Sequence, residues 1–81
     1  MELNETIDMM ISKDYKERFK AEYYQLHIRY MKLLNMVDKW DKGKLNFTPT
    51  CNRIIYSEQL YYMENYLDIL YYRAKKEGIE L

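Results

Sequence analysis

The chain has 81 residues, with 13 lysines and arginines set against 13 aspartates and glutamates, a single cysteine and a single histidine. That length makes one domain whose core alone supplies little stability, so support from self-association is expected. Cys51 alone excludes an internal disulfide, and Cys51 with His27 is too small a ligand set for a structural zinc site within one chain; no metal or cofactor is expected. The balanced charge provides no field for duplex nucleic acid or an anionic membrane. No apolar run approaches the roughly 18 residues of a membrane span, and Met1 to Glu5 carry acidic rather than basic charge, so the expected location is the cytoplasm.

Residues 1–12 are expected to form a short helix, capped by Asn4 or Thr6, with Leu3, Ile7, Met10 and Ile11 as one apolar stripe. Ser12 or Asp14 then reads as a new N-cap, and Asp14 with Glu17 fits a capping box. Asp14 and Arg18, four apart, read as a helix-surface ion pair.

A long helix is predicted over 14–42, a stretch with neither Pro nor Gly. Phe19, Tyr23, Leu26, Tyr30, Leu33, Val37 and Trp40 alternate at steps of four and three, the spacing of a heptad seam. A second row, Tyr24, Ile28, Met31 and Leu34, widens the apolar face beyond what one partner covers. Gly43 stops this helix, a loop occupies 43–48, and Thr48-Pro49 signals a second long helix over 49–78, with Thr50 as rival cap. Its seam is Tyr56, Leu60, Met63, Leu67, Leu70 and Ala74; its second row is Ile55, Tyr62, Tyr66, Ile69 and Tyr72; Gly78 closes it.

The short connection implies an antiparallel hairpin, with Trp40 near Ile54 and Ile55 and Phe19 near Leu70 and Ala74. The expected fold is all-α: a short N-terminal helix plus an antiparallel two-helix hairpin, assembled into an oligomeric helical bundle. The N-terminal stripe needs burial, and the Ser12-Lys13 hinge would let it reach a neighbouring subunit.

No Gly-rich phosphate loop, metal-ligand pair or nucleophile elbow occurs, so no enzymatic activity is expected and no catalytic residue is assigned. His27 lacks a nucleophile or carboxylate at an orienting spacing and reads as a flank residue. Cys51 sits where a helix start would favour thiolate, but as a small apolar residue it also fills a hairpin corner.

Two constellations suit a ligand. In the first, Thr48, Thr50, Asn52, Arg53 and Tyr56 surround a predicted helix start, offering amides, hydroxyls and a cation to a phosphate or carboxylate; plain capping explains the same residues. In the second, Lys13, Lys16 and Arg18 surround the ring of Tyr15, combining charge with a stacking surface; a solvated helix start does so too. Ten tyrosines in 81 residues are far above ordinary usage. Tyr24, Tyr62, Tyr66 and Tyr72 are assigned to an interface, because tyrosine buries a ring while its hydroxyl stays hydrogen-bonded.

The segments DYKERFKAEYYQL (Asp14 to Leu26), KGKLNFTPTC (Lys42 to Cys51) and YMENYLDIL (Tyr62 to Leu70), with the ending GIEL, resemble a family of short proteins of phages and prophages named after a product of a crAss-like gut phage. The chain departs from that family's pattern at Asn52, where the family has proline, and in its richer tyrosine content. In architecture alone, a short helix followed by two long ones, it is similar to small phage proteins that act as sponges for host immune nucleotides. Those sponges hold cyclic di- or trinucleotides, or cyclic ADP-ribose isomers, between subunits of an oligomer. The resemblance implies a phage accessory protein that counters host defence in the bacterial cytoplasm by sequestering a small nucleotide signal without cleaving it, with itself and that nucleotide as partners. The alternative is a non-catalytic inhibitor or adaptor, similar to anti-CRISPR proteins, whose tyrosine-rich helix face binds a host protein.

Overall fold

Asp14 opens the first long helix by accepting the Lys16 amide on its carboxylate at 3.0 Å, while its own amide is held by the Ser12 hydroxyl oxygen at 3.1 Å. The computed structural model describes residues 1–81, and all its regular elements are helical. A 3-10 turn over Leu3–Thr6 runs into one α-turn, α1 (Ile7–Met10); α2 spans Tyr15–Asp41 and α3 spans Arg53–Glu77. The two long helices lie antiparallel in a body of 43 × 24 × 17 Å. At about 1.5 Å per residue, α2 alone runs nearly its full length.

The predicted seam is the packed one. Phe19, Leu70, Ala74 and Ile79 form the core, with Tyr23 and Leu26 against it, and Leu70 is wholly buried. Val37 and Leu67 are buried further along, while Tyr30, Leu33, Trp40, Tyr56, Leu60 and Met63 are half-buried. Phe19 thus meets Leu70 and Ala74 as expected. Ile79 joins them because Gly78 takes a left-handed conformation (φ 71°), after which the Ile79 amide returns to the Ala74 carbonyl at 2.8 Å. Gly43, also left-handed (φ 69°), ends α2 in the predicted place.

Several local expectations are corrected. Glu17 pairs with Lys20 at 3.5 Å instead of closing a capping box with Asp14. Arg18 donates to the Ser12 carbonyl at 2.8 Å instead of pairing with Asp14. The second long helix begins at Arg53, four residues after Pro49, with the Asn52 side chain accepting from the Ile54 amide at 3.3 Å. The loop therefore extends through Asn52. Its far end is fixed by tertiary contacts: Trp40 meets the Tyr56 ring edge-on at 5.6 Å and lies under the Arg53 guanidinium at 5.9 Å. These replace the expected Trp40 contacts with Ile54 and Ile55, which stay exposed.

The N-terminal segment, expected on a neighbour, packs on α2 of its own chain. The Thr6 side chain is fully buried; its hydroxyl donates to the Leu3 carbonyl at 2.7 Å and accepts from the Gln25 amide at 2.9 Å. Glu2 reaches Lys32 at 3.7 Å. With about three residues per turn, the 3-10 turn rotates the register so that Thr6 faces α2. Ile7, Met10 and Ile11, expected to be buried, remain 49%, 46% and 69% exposed. The wide face of α2 thus has two partners from one chain: α3 and this segment.

Candidate functional site

The structure disperses the first sequence constellation. Arg53 is held by Asp41 through two hydrogen bonds of 3.0 Å each, from Nε and Nη2, and by the Ser57 hydroxyl. The guanidinium hydrogen bonds hold Asp41 below the usual carboxylate range, and the same pairing raises Arg53. Asn52 is occupied as a cap, and the Tyr56 hydroxyl accepts the Cys51 amide at 3.3 Å. Thr48 and Thr50 are exposed, and their hydroxyls have no protein partner. Arg53 therefore braces the loop end of the hairpin, and Asn52 starts a helix whose Ile54 and Ile55 amides are met by its own side chain and carbonyl.

The second constellation is absorbed into the other end of the hairpin. The Tyr15 hydroxyl donates to Glu77 at 2.6 Å and accepts from Arg73 at 2.9 Å, while Arg73 Nε donates to Glu77 at 3.1 Å. Arg73 also covers the Phe19 ring at 5.0 Å, and Tyr15 meets that ring edge-on. The Tyr15 hydrogen bond, reinforced by Arg73, lowers Glu77; the same bond and burial raise Tyr15. Lys16 donates to the Gly78 carbonyl at 3.3 Å, and Arg18 is held by Ser12. Lys13 alone of this group is exposed and uncommitted. Sequence reasoning missed Arg73 and Glu77, although the register placing Phe19 beside Ala74 puts Tyr15 near Glu77 one turn on.

What remains open is the outer face of α3. Tyr62, Ile69 and Tyr72 are 67%, 58% and 62% exposed, and Ile54, Ile55 and Tyr61 lie bare beside them. Of the tyrosines assigned to an interface, Tyr24 is half-covered within the chain and Tyr66 is exposed but hydrogen-bonded to Glu22, which raises its pKa; Tyr62 and Tyr72 are open. At the C-terminal end, Lys75 sits over the Tyr71 ring at 4.8 Å and Lys76 over Tyr72 at 5.6 Å, and neither ammonium has a carboxylate partner. These pairs follow from i,i+4 spacing, which the sequence displays. Chemically they offer flat rings for stacking beside positive charge.

The same architecture has no helix long and apolar enough to cross a membrane. No curated protein and no solved structure matches the chain. The family model described as Sequestin matches residues 13–76, from the hinge before α2 through nearly all of α3. The chain belongs to the Sequestin family, whose name denotes a sequestering role.

Proposed function

We propose that the protein is a phage accessory protein that sequesters a host immune nucleotide, of the cyclic oligonucleotide or cyclic ADP-ribose type, in the bacterial cytoplasm without cleaving it, and that it works as an oligomer of hairpins. The observation that carries this reading is the exposed Tyr71 ring with the Lys75 ammonium above it. A ring of this kind stacks on a nucleobase, and a lysine without a carboxylate partner is available to a phosphate. The Sequestin membership supports holding rather than conversion. Lys13, Thr48 and Thr50 stay available as secondary contacts, whereas Tyr15, Lys16, Arg18, Asn52 and Arg53 are engaged within the chain.

Calorimetry with a panel of cyclic di- and trinucleotides and cyclic ADP-ribose isomers, at about 100 micromolar protein, tests the reading. Saturable binding that is lost in Tyr71→Ala and weakened in Lys75→Ala is the expected result. No binding across the panel ends it. Recovery of the intact nucleotide after denaturation separates sequestration from cleavage.

A further inference from the structure

The outer face of α3 repeats with the period of a seam. Glu58, Tyr62, Asn65, Ile69, Tyr72 and Lys76 follow at steps of four, three, four, three and four, and all six are exposed. That is the a/d spacing of a coiled coil, written on the side of the helix turned away from its partner α2. Two tyrosines, Asn65 and Ile69 occupy its middle, an acidic residue one end and a basic residue the other. Neither Glu58 nor Lys76 pairs with any opposite charge in its own chain.

This stripe is complementary to itself when reversed. Positions 58 and 76 lie nine residues either side of Leu67, 62 and 72 lie five either side, and 65 and 69 lie two either side. We propose that a second copy of this chain docks antiparallel on the outer face of α3, about a twofold axis level with Leu67. Glu58 then faces Lys76 of the second copy, Tyr62 faces Tyr72, and Asn65 faces Ile69, with each pairing occurring twice. Sliding the copies by one heptad in either direction destroys the match: Glu58 falls opposite Ile69, or Lys76 opposite Asn65. The tyrosines and Ile69 supply the contact area, while the charged ends choose orientation and register. The strip from Glu58 to Lys76 is about 27 Å long at 1.5 Å per residue.

This interface specifies the oligomer assumed in the functional reading, and its test is independent of any nucleotide. Sedimentation equilibrium is measured on the full chain and on variants whose helicity is checked by circular dichroism. The native protein is expected to be dimeric, Glu58→Lys and Lys76→Glu each to weaken association by about tenfold through two like-charge contacts, and the double charge swap to restore it. Ile69→Asp is expected to give a folded monomer. A native monomer at about 100 micromolar, single reversals without effect, or a double swap that fails to restore association each overturns the interface. A monomer that still binds a nucleotide leaves sequestration standing; a dimer obeying the charge swap but binding no nucleotide does the reverse.

Discussion

The Tyr15 hydroxyl donates to the Glu77 carboxylate at 2.6 Å, joining the first residue of α2 to the last residue of α3. Arg73 completes the tie by donating to both. Tyr15→Phe keeps the edge contact with Phe19 and removes only the hydroxyl, so it is expected to lower Tm by a few degrees without changing helicity. Tyr15→Ala, losing the ring as well, should lower it further. Thermal circular dichroism of both variants checks the order. Equal Tm values for all three proteins would show that the tie carries no stability.

Asp41 and Glu77 titrate below their usual range in the folded chain because Arg53 binds the first and Tyr15, then Arg73, binds the second. The unfolded chain therefore takes up more protons as acid is added. The stabilisation these carboxylates provide is complete above about pH 5 and is lost as the pH falls through about 4 and below. Tyr15 and Tyr66 behave oppositely: their raised pKa values favour the protonated hydroxyl, so their contribution is present below about pH 10 and disappears above it. Tm measured against pH should fall at both ends. Asp41→Asn with Glu77→Gln flattens the acid side, and Tyr15→Phe with Tyr66→Phe flattens the alkaline side.

Leu70 is the one large side chain of the core with no exposed surface, whereas Leu33, on the facing seam, is half-buried. Leu70→Ala is expected to cost about 2–5 kcal/mol, as for truncation at a site that cannot collapse, and Leu33→Ala markedly less. Urea unfolding followed by circular dichroism gives both values. A reversed order would place the centre of packing at the loop end of the hairpin.

Gln25 is the principal polar anchor of the N-terminal segment, through Thr6 and Met10. Gln25→Ala should release that segment while leaving the hairpin closed. Amide hydrogen exchange is expected to accelerate at Thr6 to Met10 with little change in α3. Uniform acceleration would mean that the segment and hairpin unfold as one unit.

The hairpin was legible because its seam repeats strictly: Phe19 through Trp40, and Tyr56 through Ala74, are the residues that the two helices turn toward each other. The start of α3 was not. Thr48-Pro49 is a sound local start signal, yet Asn52 takes the cap because Arg53 must reach Asp41 and Tyr56 must meet Trp40, requirements set across 12 and 16 residues of separation. The same cause hides the candidate sites. Tyr15 among three cations and Arg53 beside threonines look free in one dimension, but the register of the hairpin delivers Glu77 to one and Asp41 to the other. The Tyr71 and Lys75 pairing was within reach, since it needs only helical spacing, but it was obscured by the abundance of tyrosine around it.

The core of the chain joins the start of α2 to the end of α3, with Phe19 set against Leu70, Ala74 and Ile79. During synthesis, Ile79 is made long after Phe19, so the seam of α2 stays uncovered until α3 has followed it. The N-terminal segment has no such delay, because Thr6 and Gln25 are only 19 residues apart. The contact pattern therefore predicts an order of assembly, in which the short segment settles on α2 before the hairpin closes.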